Sequence, residues 1–183
     1  MVRLILFPDD AQSPIPDQKL LFDGLQSAGL VGVPSNRDAN IYCPGDQFMR
    51  LLTFLGCSPT VSMADESNDN DNPNNYYIEL AEPTQDISVL QDDREFSPRC
   101  PQCGKSNSQW HSPLTSAASI YRCNECGMQA KAHEWDWRRH LGFGRTWLNI
   151  WGVHDGEAVP SEKLLELLEK LTGFVWNYAY SRK

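Results

Sequence analysis

Four cysteines carry the plainest chemistry in this 183-residue chain: Cys100 and Cys103 in "RCPQCGKS", and Cys123 and Cys126 in "RCNECGMQ". Their spacing, C-x2-C-x19-C-x2-C, falls inside the window of a four-thiolate zinc site. Two residues between paired cysteines let one tight turn aim both sulfurs at a single ion. The glycine after each pair, Gly104 and Gly127, relieves crowding where the backbone turns beneath the sulfurs. The expected cofactor is one structural zinc ion: catalytic zinc keeps an open position and three protein ligands, whereas four thiolates close the shell. His111 and His133 are near in sequence, but the ligand set is complete without them and they read as surface histidines.

The stretch "CPQCG…CNECG" resembles the zinc ribbons, with rubredoxin-like knuckles, over residues 96–132. The resemblance implies two β-hairpin knuckles clamping one ion, with Trp110 and Tyr121 packing the little sheet. It is specific for metal binding and not for an activity. Rubredoxins use such knuckles for iron and electron transfer, usually over a longer gap; here the polar, Ser-rich "KSNSQWHSPLTSAASIY" suits a ribbon with a solvated loop.

Other candidate chemistry is weaker. Cys57 follows a helix C-terminus, where the dipole disfavours a thiolate, while Cys43 precedes a helix start; neither has a His nearby in sequence, and both read as buried apolar thiols. In "HEWDWRRHLGFGR", residues 133–145, His133 and Glu134 begin a His-Glu-x-x-His motif, but residue 137 is Trp. "GFGR" lacks the further glycine of a dinucleotide fingerprint. The Asp- and Asn-rich "ADESNDNDNPNN" at 64–75 lacks the Gly and Glu positions of a calcium loop and reads as a flexible acidic loop. No activity follows from these residues, and the expectation is a protein that is not an enzyme.

Two binding roles remain for 133–145. Trp135, Trp137, Arg138, Arg139 and Arg145 are candidate anchors for a protein partner, since Trp and Arg are enriched at binding hot spots. The alternative is nucleic acid, with phosphates meeting Arg122, Lys131, Arg138, Arg139 and Arg145. A third reading has the aromatics sealing the ribbon onto the rest of the protein. Charge favours a protein partner. Residues 99–145 carry seven Lys/Arg against three Asp/Glu, a net +4 that leaves −12 for the rest of a chain totalling −8, and such a body repels a polyanion. No stretch approaches the length of a membrane span, and no export signal is visible; the expected location is cytoplasmic, with reduced thiols.

These residues need a scaffold. "RLILF" at 3–7 reads as a strand. Leu20, Leu21, Leu25 and Ala28 are spaced as a helix opening at Asp17 and ending at Gly29; Phe48, Met49, Leu51, Leu52 and Leu55 suggest a second helix stopping at Gly56. "TVSM" at 60–63, "YYIEL" at 76–80 and "RTWLNIWGV" at 145–153 follow as strands. Ser161 opens a third helix with a Leu stripe ending at Gly173, and "FVWNYAY" closes the chain as a strand. The pattern predicts an α+β fold: a helix-backed, mainly antiparallel sheet of four or five strands, ferredoxin-like in plan, with an inserted zinc ribbon. Residues 1–95 and 133–183 together form the α+β domain and 96–132 the insertion.

Overall fold

A computed structural model describes residues 2–35, 40–55, 76–90, 96–107, 114, 116–153 and 156–182. The apolar run near the N-terminus forms β1 (Val2–Pro8). Leu4 to Phe7 are all buried, so both faces of this strand are covered, as a continuous apolar run demands. Asp17 caps α1 (Gln18–Ser27), its carboxylate accepting from the Leu20 N–H at 2.9 Å and satisfying one of the donors a helix start leaves unpaired. Leu21 and Leu25 are buried whereas Leu20 is exposed, so the apolar stripe is narrower than its spacing suggests. β2 (Val31–Pro34) and β3 (Ile41–Pro44) then pair antiparallel.

The second helix departs from expectation. α2 (Phe48–Leu51) is a single turn that passes directly into β4 (Leu52–Phe54). Its start has no side-chain cap, which leaves a costly helix nucleus unsupported. The chain extends instead, burying Leu52 and leaving Leu55 exposed. The expected stop at Gly56, the strand at 60–63, the acidic loop at 64–75 and Cys57 lie outside the described residues, as do Trp110, His111 and His154.

The later elements are β5 (Tyr77–Leu80), β6 (Ser88–Leu90), β7 (Ile120–Arg122) and β8 (Gln129–Lys131). After them come β9 (Gly142–Gly144), β10 (Leu148–Trp151), β11 (Ala158–Pro160), α3 (Glu162–Thr172) and β12 (Trp176–Arg182). Among the described residues one six-stranded sheet runs β12-β1-β10-β5-β3-β2. Every neighbouring pair in it is antiparallel, and it is wider than the four or five strands expected. β4 pairs with β11, β6 with β9 and β7 with β8. The architecture is therefore mixed α and β, mainly antiparallel, and no described helix is long and apolar enough to cross a membrane.

α1 and α3 pack on one face of the sheet. Leu21, Leu25, Leu164 and Leu168 meet Leu4, Leu6, Ile78, Leu148 and Ile150 in one buried cluster, each such side chain contributing about 1.5–3 kcal/mol by leaving water. α3 is capped at both ends as its sequence predicts: Ser161 Oγ accepts from the Leu164 N–H at 3.3 Å, and Gly173 closes the helix in a left-handed conformation. The other face buries Ile5, Phe7 and Ala179 against Leu90 of β6, with Trp147 beside them. Here β9 lies against the sheet. A Cβ on Gly142 would sit 2.5 Å from the Phe7 ring, so glycine is what lets β9 come this close.

Candidate metal centre

The four cysteines come together. Their sulfurs all lie within 4.8 Å of one another, with Cys100 and Cys126 Sγ 3.6 Å apart and Cys103 and Cys123 Sγ 3.7 Å apart. Two short turns built alike place them. In the first, the Cys100 N–H donates to Lys105 O and the Gly104 N–H to Cys100 O; in the second, the Cys123 N–H donates to Met128 O and the Gly127 N–H to Cys123 O. Gly104 and Gly127 have φ of +70° and +74°, the left-handed region that glycine enters without steric penalty. The repeat extends to the sulfurs, since Cys103 accepts from the Lys105 N–H and Cys126 from the Met128 N–H.

Sulfur electrostatics favour a cation. Backbone donation from Cys126, opposed by burial and reinforced by Glu125, brings the Cys123 thiol down to about 7. The Met128 N–H likewise favours a thiolate at Cys126, but burial and the neighbouring sulfurs outweigh it and push that thiol up to about 12. At Cys103 the Lys105 N–H is outweighed in the same way, and its pKa is raised. Clustered thiolates repel one another, and a divalent cation supplies the charge that lets all four ionise. Cys100 and Cys123 are buried, while Cys126 stands at the surface.

One residue of the centre carries no signal in the sequence. Asn107, 7% exposed, donates through Nδ2 to Arg122 O at 3.2 Å and accepts at Oδ1 from Asn124 Nδ2 at 2.7 Å. It ties the first turn to the second. Its partners are 15 and 17 residues away, too far for a local pattern to mark it.

Over residues 133–145 the alternation of aromatic and charged residues suggests a strand with one aromatic face, but only Gly142–Gly144 is strand. A short 3-10 turn, Ala132–Glu134, comes first; Asp136 then exchanges backbone hydrogen bonds with Arg99. Trp135 and Trp137 are 4% and 6% exposed, and their indole N–H groups donate to Ala130 O at 3.4 Å and Ala132 O at 2.9 Å. This corrects their assignment as surface anchors. Both pack in a cluster with Cys100, Cys123, Ala130, Leu141 and Phe143, sealing the cysteine-bearing segment.

The three arginines part company. Arg138 and Arg139 are exposed and have φ of +50° and +63°. They are the central pair of a turn closed by the His140 N–H to Trp137 O at 3.0 Å. Positive φ at both central positions belongs to type I′ turns, which Asn and Gly dominate, and each non-glycine residue there costs roughly 1–2 kcal/mol. Asp136 Oδ1 accepts from the Arg138 N–H at 2.9 Å, Arg138 Nη2 donates to Ser97 O at 3.1 Å, and the Tyr180 N–H donates to Arg139 O at 3.1 Å. Arg139 Cζ lies 4.3 Å from the centre of the Tyr178 ring.

This turn borders a cleft of about 400 Å³ between the cysteine-bearing segment and the sheet, whose other walls include Phe7, Asp9, His133, Phe143 and Tyr178. Arg145 is half-buried and lines a different cleft, with Asp86, Ser88 and Leu114. Cys43 is on β3, three strands from β1 in the sheet order. That is roughly 14 Å at the usual ladder spacing, and it sets Cys43 apart from the cleft that His133 lines beside Phe7. No family model, curated protein or solved structure matches this chain.

Proposed function

We propose that this is a zinc-binding interaction protein without enzymatic activity, in which a structural four-cysteine centre builds a ribbon that presents Arg138 and Arg139 to a protein partner. The single observation that carries the reading is the sulfur spacing. Zinc–sulfur bonds of about 2.3 Å in a tetrahedron put neighbouring sulfurs about 3.8 Å apart, and the two closest pairs lie at 3.6 and 3.7 Å. Four thiolates from two matched turns leave no coordination position for water or substrate. The matched turns favour rubredoxin-like knuckles over an irregular site. The same spacing suits iron, and elemental analysis separates the two.

The scaffold reading is a ferredoxin-like plan. β12-β1-β10-β5 in that spatial order, with α1 after β1 and α3 before β12, supports it, and the β2–β3 pair is then an addition at one edge. Residues 96–132 are the inserted ribbon, and the reduced thiols the centre needs favour the cytoplasm. With Trp135 and Trp137 buried, the partner-facing residues reduce to the arginine turn.

Metal analysis of protein purified without chelator should return one zinc per chain. The cobalt-substituted protein should show a tetrahedral thiolate spectrum that added azide does not alter; an azide-sensitive spectrum would mean an open coordination position and would sink the structural assignment. Partner capture from the native host should lose a specific protein on Arg138→Glu and Arg139→Glu. Retardation of single-stranded or duplex nucleic acid, weakening steeply with salt and abolished by the same changes, would select the alternative reading instead.

A further inference from the structure

We infer that the cleft between β6 and the loop carrying Leu114 and Ala117 is a binding site for a free α-amino acid with an aliphatic side chain. The first observation is Arg145, which lines that cleft directly after β9. It is half-buried, its Nε is closed off from solvent with no hydrogen-bond partner, and among the described residues no carboxylate pairs with its guanidinium. A buried N–H of a charged group left without an acceptor is costly, and the folded chain supplies none. The backbone here is committed, since the Thr84 N–H donates to Arg145 O at 2.8 Å. Arg145 is therefore held at the cleft with its charge unanswered.

The second observation is a carboxylate on the same wall. Asp86 is exposed, lines the cleft with Arg145 and is in no ion pair among the described residues. Two opposite charges share one cleft without meeting. Together they suit neither an anion nor a cation, and they match a ligand that carries both signs. An α-amino acid does so: its carboxylate accepts from the guanidinium, and its ammonium donates to Asp86.

The rest of the cleft supplies apolar surface that a ligand can reach. Side chains alternate along a strand, so Ile87 and Val89 stand on the face opposite that of Leu90. Leu90 packs against the sheet, whereas Ile87 and Val89, both only half-buried, line the cleft. Leu114 and Ala117 form the wall across from them. These side chains are all aliphatic, which fits a branched aliphatic chain held beside the charged pair. About 660 Å³ is within the range of small-ligand pockets. The inference depends neither on which metal the cysteines hold nor on the proposed protein partner.

The test is calorimetric titration of the metal-replete full chain with leucine and with analogues that each lack one part of it: isocaproate the ammonium, leucinamide the carboxylate and glycine the side chain. Leucine should bind, and each analogue should bind at least about tenfold more weakly. Arg145→Gln should weaken leucine by about tenfold or more. Asp86→Asn should bring leucine and isocaproate to similar affinity, and because Asp86 is exposed this change keeps the test open if Arg145→Gln does not fold. Failure of leucine to bind, isocaproate or leucinamide as tight as leucine, or leucine affinity unmoved by these changes would overturn the inference. So would N-acetylleucine held more tightly than leucine, which would assign the cleft to the end of a peptide chain. Zinc content measured on the same samples reports separately on the metal centre.

Discussion

The helix-backed face of the sheet and the metal-bearing segment bury different kinds of residue. The first packs Leu4, Leu6, Leu21, Leu25, Phe48, Ile78, Leu148, Ile150, Leu164 and Leu168, all at 0–1% exposure. The second packs alanines at 117, 130 and 132, two tryptophans and two cysteines, with Leu114, Leu141 and Phe143. Alanine buries little area, and among the described residues the regular structure of this segment is two three-residue strands and a 3-10 turn. Small units of this kind need a metal or a disulfide. The contrast teaches that apolar burial holds the sheet, whereas the segment lying on it brings together four cysteines that could hold an ion.

Removing the ion is the sharpest way to break the comparison. Structural zinc binding is worth on the order of 10 kcal/mol. Chelation should therefore abolish hydrogen-exchange protection at amides such as Cys100, Cys123 and Gly127, which donate within the turns, while β1, β10 and β12 stay protected. Uniform loss across both regions would mean that the sheet also depends on the metal.

Trp137→Ala comes next, because this residue sits at the heart of the second region: its ring centre lies 6.1 Å from that of Phe143 on β9, and its indole N–H bonds Ala132 O. Truncating a buried aromatic costs about 3–5 kcal/mol. Urea unfolding should show that loss together with weaker metal retention against a chelator. Unchanged retention would place the tryptophan outside the support of the centre. Leu168→Ala should cost about 2–5 kcal/mol by opening a cavity between α3 and the sheet, with the rate of metal release unchanged. A faster release would show that the two regions are coupled through the core.

The same contrast decides what can be read from the residues alone. β1, α1, β5, β10, α3 and β12 announce themselves through apolar period and caps, because each buries a face against the sheet and each carries its own start and stop. The cysteine pairs are equally legible, since their spacing is a local geometric demand of one ion. α2 misleads because Leu51, Leu52 and Leu55 carry a helical spacing, yet the backbone at 52–54 finds a partner in β11, more than a hundred residues away. The tryptophans mislead for a related reason. Alternation of Trp with charge looks like an exposed interaction stripe until the positive φ of Arg138 and Arg139 turns the chain back and the rings go inside. Asn107 is invisible because its role exists only once both turns are in place.

The smallest effect concerns pH, and the two regions should fail at opposite ends of the scale. Protons compete with the ion for sulfur, so the metal-bearing segment loses its hold in acid. In the sheet-backed core the sensitive group is Tyr76, 2% exposed, with ring contacts to Phe48 and Phe54 at 5.4 and 5.9 Å. Burial, with the charge of Glu157 and the hydrogen bond to it, pushes the Tyr76 hydroxyl up to about 12. A folded pKa above the unfolded value means that the native state keeps its proton longer. The contribution is therefore complete below about pH 10 and is lost as pH rises from there to about 12. Tyr76→Phe cannot ionise, so its urea midpoint should fall less than that of the parent over this interval, while the two change in parallel between pH 7 and 9. Parallel curves throughout would show that the hydroxyl ionises as freely in the fold as out of it.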